Sequence, residues 1–578
     1  MSDPCLDDLV RRIMVAKSLE QDLPPSVELP AEDPVRAMGF VECSAAILDC
    51  CAEVLCRVLV LEMLDPLPLG AREEKPNHHV VEAAVDEIVD DRSQPWLSAE
   101  LFKQAHLVDD PDAMSEVDQV ARPESSSKHE LQVMTEDDRD LSEHAFRLCQ
   151  QLLRIDTTNP PGNELPAAEL LAEELSGAGL EPVVMESAPG RGNLVARLRG
   201  SGELPPLLLT AHLDVVEADP SAWEHPPFCG EVHDGCLWGR GAIDMKNMAA
   251  MSVAIMTRLA REKVKPKRDL IFAGVADEEA GCRYGSLWLC ENHRDLVRSE
   301  FAIGEGGGFN IQVAGKSFFT VQVAEKGVCW VRARATGEPG HGSMPREDSA
   351  VVQLSEAIAR LGTQGLPRHA SDCVEGFLGA MASHLPVPLR PLIKMLGNPT
   401  LGPVMLNLLP DPGVRRAFRA LLGNTASPTV LRAGNKTNVI PGFAEAEIDG
   451  RILPGRTQDD FLRELGDVLG QDIELEVMHS LPPVVTQPKE STLYSLIHEV
   501  MGERAPEAPV VPFILQGFTD AKAFTSIGAK WYGFAPVKLP PTLRFADMFH
   551  GHNERIPVDG LAWGTQTLMQ VVRRCVDA

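Results

Sequence analysis

The sequence predicts an α/β protein: a domain built on a mostly parallel sheet, interrupted by a second, α+β domain. Three observations carry this expectation. Short apolar runs alternate with helical segments from 134 to about 318, the mark of a parallel sheet covered on both faces. From 319 the texture changes to period-two alternation, and from about 483 the first style returns. The first 133 residues are compositionally different again. They hold 28 Asp and Glu against 11 Lys and Arg, a net of −17 in a chain whose total is −30, and their only aromatics are Phe40, Trp96 and Phe102.

Taken in order, residues 42–64 (ECSAAILDCCAEVLCRVLVLEML) predict a helix with Asp49, Glu53 and Arg57 as a polar stripe at four-residue spacing. Residues 109–133 are polar and poor in apolar side chains, and read as a linker. Residues 1–133 are thus expected to be a helical or partly disordered extension, with Met134 an alternative natural start. Next comes an amphipathic helix with acidic residues in its first turn (142–154 at its centre), the turn Thr158-Asn159-Pro160-Pro161-Gly162 and a helix over 164–178. Strands are expected at 193–198, 207–211, 270–276 and 301–303, with helices near 246–262 and 285–297. Residues 319–336 and 443–453 alternate as half-buried antiparallel strands, flanking helical material that includes the Pro-punctuated block 371–425. A helix near 491–502 follows the return to the first domain. The expected divisions are therefore 1–133, 134–318, 319–482 and 483–578.

Composition narrows the function classes. A net charge of −30 argues against nucleic acid and anionic membrane as partners. No run of about 18 uncharged apolar residues predicts a membrane span, and the first residues lack the order of a signal peptide. Thirteen cysteines without a C-x-x-C pair read as free thiols in a reducing cytoplasm.

Several ionisable residues sit where strands are expected to end: His212 and Asp214 after LLLTA, Asp244 in GRGAIDMKN, Glu278 and Glu279 in FAGVADEEAG, Glu305 in AIGEGGGF. His550 lies in MFHGHNERIPVDG. Each alone has an ordinary explanation as a turn former, helix-start carboxylate or surface histidine. Together they place several negative charges at one sheet edge, which is unfavourable without cations. A pair of zinc ions fits that donor set, with cobalt or manganese as alternatives, and a pair needs a bridging carboxylate. Asp244 suits the bridge, between His212 and Glu305 on one side and Glu279 and His550 on the other. Glu278 is then left to move a proton from the attacking water to the leaving amine, and Asp214 to orient the His212 imidazole.

At this point the chain resembles the di-zinc metallopeptidases that include aminoacylase, carboxypeptidase G- and S-type enzymes, acetylornithine deacetylase and succinyl-diaminopimelate desuccinylase. The resemblance covers about residues 140–576. It rests on NPPGNE, AHLDVV, LWGRGAIDMKN, ADEEAG, GEGGG, EKG, GHGSMP, TNVIP, D-x-R and H-x-x-N-E, in family order. It implies the same metal ligands, with Asp244 shared, Glu278 as general acid/base and Asp214 beside the first ligand. Glu305 in EGGG is similar to the carboxypeptidase S-like branch. His552 competes with His550, and the H-x-x-N-E register selects His550; His225 and His233 drop out as loop residues.

By the same resemblance the second domain is a lid and dimerisation domain. It implies that His341 supports the oxyanion and that Asn438 and Arg451 grip a substrate carboxylate. The implied activity is hydrolysis of an amide beside a free carboxylate, in an N-acyl amino acid or short peptide. A deacetylase or desuccinylase of a biosynthetic intermediate is the alternative within the class, and a non-catalytic binding protein the alternative outside it. A homodimer through the lid is implied. The block 371–425 carries no readable motif.

Overall fold

The computed structural model describes residues 136–577 apart from 314, 370, 388, 399–401, 408–411 and 488–490. The helix expected within 42–64, the linker at 109–133 and the rest of the acidic extension lie outside the described residues.

The strands in chain order begin with β1 (Val183–Glu186), β2 (Gly192–Leu198), β3 (Leu204–His212), β4 (Glu231–His233) and β5 (Cys236–Trp238). Next are β6 (Arg268–Val275), β7 (Phe301–Gly304), β8 (Asn310–Val313) and β9 (Lys316–Glu325). Then come β10 (Gly327–Thr336), β11 (Gly340–His341), β12 (Thr425–Ala433), β13 (Val439–Ile440), β14 (Phe443–Ile452) and β15 (Glu474–Leu481). The last are β16 (Val484–Val485), β17 (Val510–Leu515), β18 (Lys530–Gly533) and β19 (Arg555–Pro557).

Ten of these make one sheet in the order β1-β2-β6-β3-β7-β18-β9-β16, with β8 and β17 also on β9. Its central strands β6, β3, β7 and β18 run parallel. Side-chain alternation divides each central strand between two cores. Leu207, Leu209, Leu270 and Phe272 join one core with helices Glu136–Leu153, Lys246–Arg261 and Val558–Asp577. Leu208, Ile271 and Ala273 join the other, with helices Ser286–Asn292 and Ala521–Ser526. Burial on both faces is why these strands read as unbroken apolar runs. Each fully buried Leu contributes about 1.5–3 kcal/mol of transfer free energy.

A second, antiparallel sheet has the order β12-β14-β10-β15. Helices Ala350–Gln364 and Gln458–Leu469 cover one of its faces through Leu354, Ala357, Phe461 and Leu465. The single strand expected over 319–336 is two strands. β9 belongs to the large sheet and β10 to the second, and the chain changes sheets at Lys326, not at 319. The polar residues that gave 319–325 its half-exposed look are buried and bonded instead: the Thr320 hydroxyl donates to Phe309 O (3.0 Å) and the Gln322 amide to Glu325 Oε2 (3.0 Å). The block 371–425 also departs from expectation. Its helix Asp372–His384 lays Val374, Phe377, Leu378 and Met381 against Phe318 of β9 and Val511 and Ile514 of β17, so it covers the large sheet.

Candidate metal centre

The parallel strands deliver their ends to one place. β3 stops at His212, whose register partner is Val275, the last residue of β6; Asp277, Glu278 and Glu279 follow two residues on. β7 stops at Gly304, immediately before Glu305. Such carboxyl ends are where open α/β sheets collect ligands. His550 arrives from the far end of the chain. β19 pairs with β5, Arg555 opposite Trp238, which draws the 550–554 loop against the turn that carries Asp244.

The side chains converge. Asp244 Oδ1 lies 3.0 Å from His212 Nε2, and Asp244 Oδ2 lies 3.1 Å from His550 Nε2. His550 Nε2 is also 3.0 Å from Glu279 Oε2, and His212 Nε2 is 3.7 Å from Glu305 Oε2. The triplets His212–Asp244–Glu305 and Asp244–Glu279–His550 each present three donor atoms within 4.8 Å of one another, as do His212–Glu278–Glu279. Imidazole nitrogen with carboxylate oxygen is a donor set for zinc and similar ions. Glu305 Oε1 is buried with no hydrogen-bond partner. A buried carboxylate oxygen in that state is costly unless a cation or donor meets it, so the cluster fits a metal site. The expected ligands His212, Asp244, Glu279, Glu305 and His550 are together, with Glu278 beside them. His552 is exposed and outside these triplets, and His225 and His233 stack on each other away from them (3.7 Å between centroids).

Without cations the cluster retains protons. Burial, then the charges of Asp244 and Asp520, raise Glu305 to about 8; burial and Asp244 raise Glu279 to about 7. Glu278 is pushed well above the ordinary range by burial, with Glu305 and Glu279 adding to it. Burial opposes ionisation of His550, but its bonds to Asp244 and Glu279 win and lift it to about 10. Burial would raise Asp244 as well, yet the two imidazoles hold it below the usual carboxylate range.

Asp214 acts differently from a simple imidazole partner. The ring N–H at His212 Nδ1 is matched to the Asp214 main-chain carbonyl (2.9 Å), while the Asp214 carboxylate stands 3.6 Å off. That carboxylate accepts from the Asn159 amide (2.8 Å) and from the backbone N–H groups of Glu278 and Glu279 (both 3.1 Å). One residue thus orients His212 with its backbone, leaving Nε2 to face Asp244, and fixes the Glu278–Glu279 turn with its side chain.

Two supports were not foreseen. Glu554, fully buried, accepts from the backbone N–H groups of Gly241 (3.0 Å), Ile243 (2.8 Å) and Asp244 (3.0 Å) and from Arg240 (2.9 Å), clamping the Asp244 turn. Arg191 joins Glu164 (2.7 Å) and Asp277 (2.9 Å) behind the Glu278 turn. The H-x-x-N-E and NPPGNE motifs contained Glu554 and Glu164, so the signal was present but carried no role. The three residues expected to act from a lid stand apart. His341 is exposed with Nδ1 2.8 Å from Ser343 Oγ, Asn438 is exposed, and Arg451 pairs with Asp449 (2.7 Å) over the Phe518 ring. Among the described residues, no hydrogen bond joins these three to the cluster.

Residues 208–574 match the sequence pattern of peptidase family M20/M25/M40. N-fatty-acyl-amino acid synthase/hydrolase PM20D1 of Mus musculus is 30% identical over 403 residues, spanning 65% of this chain and 77% of the relative. Aminoacylase-1 of Mus musculus is 25% identical over 433 residues, spanning 74% of this chain and 94% of the relative. The crystal structure of the M20 family metallo-carboxypeptidase Sso-CP2 from Sulfolobus solfataricus superposes with a TM-score of 0.55 at 19% identity, over 76% of this chain and 99% of that one, a likeness of fold. The chain belongs to peptidase family M20/M25/M40 and is an enzyme that hydrolyses amide or peptide bonds.

Proposed function

We propose that this enzyme hydrolyses the amide bond of N-acyl amino acids or short peptides that carry a free carboxylate, using two zinc ions. The observation that carries the reading is the Asp244 carboxylate, whose two oxygens each face a different histidine (3.0 and 3.1 Å). His212, Glu305 and Asp244 would hold one ion, and Asp244, Glu279 and His550 the other. When bound, the ions supply Lewis-acid polarisation of the scissile carbonyl and favour ionisation of the attacking water. Glu278 takes the proton from that water and returns it to the departing amine nitrogen. Its burial and acidic neighbours raise its affinity for a proton, which suits it to take up and hold the proton between the two transfers. Asp214 keeps Glu278 and His212 in register.

The second domain is proposed as a lid that brings His341 to the developing oxyanion, with Asn438 and Arg451 taking the substrate carboxylate; a guanidinium fork matches a carboxylate bidentately. Closure would complete the site and exclude water. The chain is proposed to work as a cytoplasmic homodimer through this domain. The aminoacylase and N-acyl-amino acid hydrolase relatives support the substrate class. The test is a panel of N-acyl amino acids, dipeptides and their C-terminal carboxamides with zinc-loaded enzyme. Cleavage confined to the free acids is expected; cleavage of carboxamides at equal rates would refute the carboxylate requirement.

A further inference from the structure

The chain passes between the two sheets twice, outward from β9 to β10 at Glu325–Gly327 and back from β15 to β16 at Leu481–Val484. The two passages touch: a Cβ placed on Gly327 would lie 2.9 Å from Leu481 O and 2.9 Å from Pro483 N. Lys522, buried at the start of helix Ala521–Ser526, ties both together. Its ammonium donates to the carbonyl of Lys326 on the outward passage (2.8 Å) and of Pro482 on the return (3.1 Å), and pairs with Glu325 Oε1 (3.0 Å). Two of the ammonium's protons thus meet backbone carbonyls, and Glu325 Oε1 stands beside it as the opposite charge without a hydrogen bond of its own. Glu325, fully buried, also accepts on Oε2 from Thr519 Oγ1 (2.6 Å) and Gln322 Nε2 (3.0 Å). Lys326, also fully buried, reaches the other way, donating to Gly423 O just before β12 (2.6 Å).

The segment that carries Lys522 also touches both halves of the proposed site. Asp520, two residues back, is buried, accepts from Ser286 Oγ (2.5 Å), and lies near enough to the Glu278 and Glu305 carboxylates for its charge to act on both. The Phe518 ring lies 5.7 Å from the Arg451 guanidinium carbon. A buried ion pair is weak as a stabiliser, because desolvation offsets its attraction. Its residues instead fix geometry at the one place where both connections run side by side.

We propose that Lys522 is a positioning residue: by pinning both inter-sheet passages to the Thr519–Lys522 segment, it sets Arg451 relative to the metal centre and so enforces the preference for substrates with a free carboxylate. This rests on the amide-hydrolase reading above. It extends that reading with a residue that touches neither metal ligand nor substrate.

The experiment compares kcat and KM for an N-acyl amino acid and its carboxamide, with zinc-loaded full-length enzyme, in wild type, Lys522→Met, Lys522→Arg and Glu325→Gln. In Lys522→Met and Glu325→Gln the acid-over-amide ratio of kcat/KM is expected to fall about 10-fold or more, mainly through KM of the acid, since misplacement of about 1 Å can cost that much. Zinc content stays unchanged, and Lys522→Arg recovers most of the preference. Both substrates slowed by one common factor, or an unchanged ratio, overturns the proposal and leaves the hydrolase reading standing. If Lys522→Met does not fold, Glu325→Gln decides by the same ratio. A wild-type enzyme that cleaves neither substrate overturns the hydrolase reading and this one with it.

Discussion

Asp244 is held from two directions. Its carboxylate spans His212 and His550, and its own N–H is fixed by Glu554 from 310 residues away. Protons and cations compete for this site, since ligation needs a neutral imidazole and an ionised carboxylate. In the absence of metal, burial and neighbouring carboxylates raise Glu305 to about 8 and Glu279 to about 7, and bonds to Asp244 and Glu279 raise His550 to about 10. Each of these groups has a raised pKa, so each must release a proton on ligation, and a higher pH favours binding. Apparent zinc affinity is therefore expected to rise between about pH 6 and 9, as measured by competition with a chelator of known pH dependence; a flat profile contradicts the protonated cluster. At this scale the ligands were legible because a lone histidine or carboxylate at the end of an apolar run is conspicuous. Glu554 and Asn159 were not, because their partners are backbone amides and a distant carboxylate, contacts that leave no periodic trace in sequence.

The central strands act as the rigid shelf beneath that cluster. Leu209, fully buried three residues before His212, packs between β3 and the helices on one face. Leu209→Ala is expected to cost about 2–5 kcal/mol in denaturant unfolding through the cavity left behind; a loss under about 1 kcal/mol would show that the shelf repacks. Strands 192–198, 204–212 and 268–275 were readable because burial on both faces demands continuous apolar sequence. The division at Lys326 was hidden by chemistry that looks like exposure. Thr320 and Gln322 alternate with Val321 and Val323 as surface residues do, and Glu325 follows as a charge, yet all three polar residues are buried and hydrogen-bonded. The 371–425 block was unreadable for a related reason. Its apolar residues signal burial, but nothing local says that they pack on β9 and β17 rather than on the second sheet.

For the whole molecule, the second sheet presents β12 as an edge, paired among the described residues with β14 alone. Leu431 on that strand is 59% exposed and Phe443 on its neighbour 55%. Exposed apolar residues on an open edge suit association with a second copy. In sedimentation velocity the enzyme is expected to run as a dimer and Leu431→Asp as a monomer; an unchanged species in the variant removes this edge from the interface. The metal centre is tested by zinc stoichiometry and hydrolysis of an N-acyl amino acid, measured together in wild type and Glu278→Gln. Two zinc ions per chain in both proteins, with hydrolysis lowered about 10²–10⁴-fold in the variant, is the predicted result. Full zinc loading with equal activity in the two proteins would contradict it.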